Sequence, residues 1–228
     1  MNRLKLFLCC IVVFISMAQS SHASKMESGG MFCISLEKRF NKYFMMQVQQ
    51  HLWLDDNFRH LERYMPVADF RITLWDNYLF FDALYFYRYQ CTPSGESKNT
   101  NRYQLGLCGG HKWGHVGFNA YSRFESNYIK VGAELPYNRC YWRNRLQVNG
   151  YLKKGCKWSP YGAIEVFNTM NWPGENGVER LWFDLGATYG INKTFSMDFK
   201  IREIIPTLGS NEDKLHGTYF GVGCMIRL

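Results

Sequence analysis

From Trp142 to Phe167 the chain alternates polar and apolar positions with a period of two. Arg143, Arg145, Gln147, Asn149 and Tyr151 occupy every second place, with Trp142, Asn144, Leu146, Val148, Gly150 and Leu152 between them. A β-strand points successive side chains to opposite faces, whereas a helix would spread the two sets around its circumference, so the segment is a two-faced strand. Lys153-Lys154-Gly155-Cys156-Lys157 is a polar turn, and Gly162, Ile164 and Val166 then alternate with Ala163, Glu165 and Phe167. This predicts a long hairpin with two arginines and a glutamate on its polar face.

The same period runs through most of the chain. Phe32, Ile34 and Leu36 alternate with Cys33, Ser35 and Glu37; Phe70, Ile72 and Leu74 with Asp69, Arg71 and Thr73. Phe118, Ala120, Ser122 and Phe124 alternate with Asn119, Tyr121, Arg123 and Glu125, and Leu181, Phe183, Leu185 and Ala187 with Arg180, Trp182, Asp184 and Thr188. Near the end, Met197, Phe199 and Ile201 alternate with Asp198, Lys200 and Arg202, and Thr218, Phe220, Val222, Cys224, Ile226 and Leu228 form one last apolar face. Eleven candidate strands result, many longer than ten residues, which suits a tilted bilayer-crossing strand better than the five or six typical of soluble sheets. Short turns at Asn41, Asp76, Lys112, Lys154 and Asn192 alternate with longer connections at Asp55–Arg59, Cys91–Asn101, Ser126–Arg139, Thr169–Val178 and Pro206–Lys214. Outer-membrane barrels have short periplasmic turns, longer outer loops and an even number of strands, so ten or twelve are expected.

The N-terminus changes the picture by placing the chain outside the cytoplasm. Arg3 and Lys5 precede an apolar stretch from Leu6 to Ala18, and Ser21-His22-Ala23 offers a cleavage site, so residues 1–23 are expected to be a signal peptide and 24–228 a single barrel domain. No later stretch has the roughly 18 consecutive apolar residues of a transmembrane helix. Aromatics make up 17% of the chain, which favours a barrel with interfacial girdles; Trp53, Trp75, Trp113, Trp142, Trp158 and Trp182 lie near predicted strand ends and are assigned to those girdles. The formal charge of +8 is dispersed about one residue per strand, which argues against nucleic-acid binding and leaves membrane lipids and the barrel-assembly machinery as the expected partners. Cys33, Cys91, Cys108, Cys140, Cys156 and Cys224 follow the signal at irregular spacings without a metal-binding pattern; export permits disulfides, and both free thiols and a bridge remain open.

Several segments together resemble a known family. They are Phe32 to Lys42 (FCISLEKRFNK), Leu54 to Phe58 (LDDNF), Tyr85 to Tyr89 (YFYRY), Asn101 to Leu105 (NRYQL), Ala120 to Glu125 (AYSRFE), Trp142 to Leu146 (WRNRL) and Trp158 to Phe167 (WSPYGAIEVF). In order and spacing they are similar to an outer-membrane β-barrel family of Bacteroidota catalogued as domain of unknown function 2490. The resemblance implies a barrel in the outer membrane and supplies no reaction or transported substrate. The chain departs from the usual pattern in ending on Leu228, where an aromatic residue is usual, and in its cysteine content.

The polar face carries Glu37, Arg71, Asp82, Arg88, Arg102, Arg123, Glu125, Arg143, Arg145, Glu165, Arg180, Asp184, Asp198, Lys200 and Arg202. Turned inward, such a set is read first as an ion-pair network filling a narrow barrel, because charges in a low-dielectric interior must be paired. A small water-filled pore lined by the same residues is the second reading, and a lipid- or glycan-modifying barrel enzyme the third. For catalysis the sequence offers little. His51 is expected inward as a packed residue; His111 and His115 have an H-x3-H spacing but no third metal ligand nearby; Glu125 and Glu165 have arginines beside them. Trp172, in a loop, is the tryptophan best placed to stack on a sugar. No catalytic residue, cofactor or metal is assigned. The expectation is an all-β, antiparallel up-and-down transmembrane barrel of about 10–12 strands with a structural or narrow-pore function. Alternation alone does not say which face is inside, and the opposite choice gives a soluble periplasmic barrel for an apolar ligand.

Overall fold

The computed structural model describes residues 27–76, 78–91, 97–132, 135–152, 155–171, 177–207 and 217–228. The expected signal segment, Asn77, the lysines of the turn at 153–154, Trp172 and His216 lie outside them. Eleven strands are described. They are β1 (Glu27–Arg39), β2 (Phe44–Asp55), β3 (His60–Trp75), β4 (Leu79–Cys91), β5 (Ser97–Trp113) and β6 (Val116–Val131). There follow β7 (Tyr137–Gly150), β8 (Trp158–Thr169), β9 (Gly177–Gly190), β10 (Phe195–Pro206) and β11 (Gly217–Arg227). Each pairs antiparallel with the next, and β1 pairs with β11 to close the barrel.

That closing pair is parallel, from Glu27 opposite Gly217 to Glu37 opposite Arg227. The expectation of an even strand count is therefore corrected: the eleven strands counted in the sequence are all there, and an odd number of up-and-down strands can close only if the first and last run the same way. The connection Ser126–Arg139 is also corrected, since β6 continues to Val131 and β7 begins at Tyr137. Residues 56–59 form a connection as short as the turns, and 151–157 is as long as 170–176, so short and long alternate less regularly than the sequence implies.

The turns owe their tightness to local chemistry. The Asn41 side chain accepts hydrogen bonds from the backbone N–H groups of Tyr43 and Phe44 at 2.8 and 2.9 Å, and Asn192 does the same for Thr194 and Phe195. At the other end, Asp56, Asn57 and Phe58 all have positive φ. The strained turn folds back onto the seam: Asn57 N–H donates to the Ser28 carbonyl at 2.9 Å, and the Phe58 ring stacks on Phe220 at 6.4 Å.

The barrel is apolar outside and polar inside. Ile34, Ile72, Leu105, Leu107, Leu146 and Ile201 are exposed, whereas Asp82, Gln104, Glu125, Glu165 and Asp184 are buried. Trp75, Trp113, Trp142 and Trp158 point outward. Trp53 and Trp182 do not: both are buried in the lumen, which overturns their assignment to the girdle. Each is in phase with a polar set, Trp53 with Gln49 and His51, Trp182 with Arg180 and Asp184.

One close approach inside the wall gives a test. Gly186 faces Tyr161 across the β8–β9 pair, and a Cβ there would lie 2.5 Å from the Phe199 carbonyl oxygen and 2.7 Å from the Tyr161 ring. Gly186→Ala is expected to cost about 1–3 kcal/mol through overpacking, read as a lower urea midpoint for the folded form.

Candidate functional site in the barrel lumen

The strands bring the inward charges into rows. Arg145 on β7 lies opposite Glu165 on β8, and Asp184 on β9 lies opposite Arg202 on β10, so the two acids of neighbouring strands are flanked by arginines on both sides. The result is a continuous ladder. Arg102 stands 3.3 Å from Glu125; Arg143 donates from Nη1 to Glu125 at 2.5 Å and from Nε to Glu165 at 2.8 Å, with its Nη2 also on Glu165. Arg145 then bridges Glu165 at 3.4 Å and Asp184 at 2.8 Å, and Arg202 holds Asp184 with two parallel bonds at 2.6 and 2.7 Å. Gln104 and Asn127 donate to the remaining Glu125 lone pairs at 2.5 and 2.7 Å. Fork-to-carboxylate pairing of this kind compensates the desolvation of ions taken out of water.

A second group lies beside it. Asp82, with 0% exposure, accepts from Arg71 Nε at 2.7 Å and Arg123 Nη2 at 2.5 Å. The other inward charges are not drawn into the ladder. Asp198 accepts from the Tyr161 and Thr188 hydroxyls at 3.0 and 3.2 Å, with Lys200 at 3.9 Å; Glu37 faces Arg227 across the seam at 3.8 Å. Arg180 sits 3.8 Å from Glu179, and Arg88 bonds Thr100 at 3.1 Å.

An aromatic layer lies across the lumen against the ladder. Trp53, Phe167, Trp182, Tyr141 and Tyr219 cluster with Met31 and Met65. The Phe167 and Trp182 ring centroids are 4.5 Å apart, and those of Trp53 and Tyr219 5.1 Å. Guanidiniums lie over these rings: Arg143 is 4.4 Å from Phe167, Arg202 4.3 Å from Trp182 and Arg63 4.5 Å from Trp53. Ladder and rings meet as one layer, called the plug below, because Arg143 and Arg202 touch both. Between this plug and the turn end the lumen opens into two adjoining cavities of about 510 and 560 Å³, which share Arg71, Tyr121, Arg123, Arg145 and Gln147 in their walls.

The sequence reading missed Gln104, Asn127 and Thr100, although each is in phase with a charged inward residue of its strand. It also missed Arg63, which is in phase with Asp69 and Arg71 on β3, and Glu62 and Glu179, for which phase is no guide. Register shifts at Trp53/Leu54 and Phe167/Asn168 displace the pairing there. The catalytic candidates are held in other roles. His51 Nε2 is 2.8 Å from Gln49 and 3.7 Å from Cys33; His111 stacks between Tyr78 and Trp113 on the outer face, while His115 bonds the Tyr151 carbonyl. Arg143 stands between Glu125 and Glu165 and pairs with both. Cys33, Cys108, Cys140, Cys156 and Cys224 carry free thiols. Among the described residues no three His, Cys, Asp or Glu side chains gather to hold a metal ion.

A closed, mostly antiparallel barrel, apolar on its outer wall and ion-paired within, defines a porin-like β-barrel. The chain belongs to the family described as "Protein of unknown function (DUF2490)", whose profile matches residues 31–204. Among solved structures it is similar to one described as a NanC porin in a rhombohedral crystal form, with a TM-score of 0.53 and 8% identity over 89% of this chain and 100% of that one. At that identity the likeness is one of fold. No curated protein matches the chain.

Proposed function

We propose that this protein is an outer-membrane β-barrel of structural type, its lumen plugged by the charge ladder and the aromatic layer. The observation that carries the reading is the sorting of side chains: apolar residues face outward around the wall, and the buried carboxylates face inward. Immersed in water, that outer wall would expose an apolar surface far larger than soluble monomers tolerate. The soluble ligand-binding barrel needs the opposite sorting. The short-turn end with the C-terminus faces the periplasm, outer-membrane lipids cover the wall, and a signal segment at residues 1–23 delivers the chain to the assembly machinery. No residue here takes a catalytic role, and no cofactor is called for.

Expression with its own N-terminus in a Gram-negative host, fractionation, and electrophoresis with and without boiling test this reading. Sedimentation with the outer membrane and faster migration of the unboiled form are expected; an exported, freely soluble product refutes it. In planar bilayers the plug predicts no sustained open state in the wild-type protein. Steady ohmic conductance would show that the plug leaves a passage and would favour the narrow pore.

A further inference from the structure

At the loop end of the plug, four arginines meet only three carboxylates among the described residues, Glu62, Glu125 and Glu179. Arg63, Arg88 and Arg102 lie on the consecutive strands β3, β4 and β5, and Arg180 reaches in from β9 on the opposite wall. Register brings the first three together: Arg63 lies opposite Gln90, two residues from Arg88, and Arg88 lies opposite Thr100, two residues from Arg102. Aromatic rings form their floor, with Arg63 4.5 Å from Trp53 and Arg180 4.8 Å from Phe167.

The nearby acids are outnumbered, and two of the three are shared with arginines outside the four. Glu62 pairs with Arg63; Glu179 is shared by Arg139 at 3.4 Å and Arg180 at 3.8 Å; Glu125 lies closer to Arg143 than to Arg102. Arg88 has no carboxylate within ion-pair distance among the described residues, and its Nη2 bond to Thr100 is to a neutral hydroxyl. The Nε atoms of Arg63, Arg88 and Arg180 are buried without a hydrogen-bond acceptor among the described residues. Buried guanidiniums that repel one another and have donors to spare are costly unless an anion joins them.

We propose that this cluster is a binding site for a small multivalent oxyanion of the phosphate class. Guanidinium forks match the oxygens of such an anion. Donors here come from opposite walls of the barrel, and a tetrahedral anion presents oxygens in all those directions, whereas a planar carboxylate presents two on one side. The site lies inside the barrel, so its test in detergent does not depend on which membrane holds the protein.

The experiment uses the full barrel folded in detergent, with inorganic phosphate as probe and sodium chloride at matched ionic strength as reference. Saturable phosphate binding by calorimetry is expected, with a rise in the temperature at which the compact gel band is lost; chloride has neither effect. Arg88→Met weakens phosphate binding by about tenfold or more, the loss of a charge-assisted bond. In phosphate-free buffer the same variant is at least as heat-resistant as wild type, because one repelling charge is gone. The proposal is overturned if wild type shows no saturable binding, if Arg88→Met binds as wild type does, or if Arg88→Met is less heat-resistant in phosphate-free buffer. The last result would mean that Arg88 is already compensated within the chain. Should Arg88→Met fail to fold, calorimetry on wild type decides alone: saturable binding supports the site and its absence removes it.

Discussion

Arg143→Met lowers the unfolding free energy of the barrel by about 3–5 kcal/mol, the cost of breaking a buried ion pair from one side. Arg143 is the rung between two carboxylates, Glu125 and Glu165, with 0% and 1% exposure. Methionine fills much of the same space but leaves Glu125 to Arg102 and Glu165 to Arg145, each at a longer distance. The loss comes from stranded charge more than from missing volume, so a second change can relieve it. Adding Glu165→Gln to Arg143→Met removes one of the two under-compensated carboxylates and returns part of the stability, a coupling that a double-mutant cycle isolates. Urea titration in lipid vesicles, with the folded fraction read from gel mobility, measures all three variants. If Arg143→Met matches wild type within about 0.5 kcal/mol, the range of ordinary surface changes, the ladder does not hold the barrel together.

Leu105→Arg tests the other face of the same wall. Leu105 lies midway along β5 and is 51% exposed. On a lipid-facing wall near the bilayer midplane an arginine costs about 2–4 kcal/mol, falling to about 0–1 near the interface. Val116, an exposed residue beside the turn, supplies the interfacial comparison through Val116→Arg. The predicted order is therefore a large loss at Leu105 and a small one at Val116. In a soluble barrel both positions face water, and both substitutions stay within about 0.5 kcal/mol. Equal, small effects at the two sites would sink the membrane reading whatever the fractionation gave.

These two tests divide the wall as the sequence does. Leu105 falls in the apolar phase of its strand, and Arg143 in the polar phase of its own, and each phase can be read from the chain because a strand alternates its side chains strictly. The candidate site was legible to the same depth. Asp82, Glu125, Arg143, Glu165, Asp184 and Arg202, all in the polar phase of their strands, are buried, because phase is a local property carried by each strand on its own. Pairing is different. That Arg143 bridges Glu125 and Glu165 while Arg88 faces other arginines depends on stagger between strands, and no single strand encodes its neighbour's height.

The tryptophans mark the same boundary. Trp53 and Trp182 lie near strand ends, which pointed to a girdle, but their phase put them among polar residues, and phase decides the face. The register shifts that bring Glu62 and Glu179 into the lumen had no counterpart in the simple alternation.

By itself the sequence determined that this chain is all β, that its strands are long and two-faced, and which residues share a face. These follow from a backbone repeat of two residues that needs no tertiary contact to operate. The tertiary structure decided the rest. Closure turned the charged face inward, because a ring of strands has one inside and the eleven strands curl toward it together. Closure also allowed an odd count by setting β1 parallel to β11, and it set Arg180 on the wall opposite Arg63, Arg88 and Arg102. Those are relations between residues far apart in the chain, fixed only when the two ends of the sheet meet.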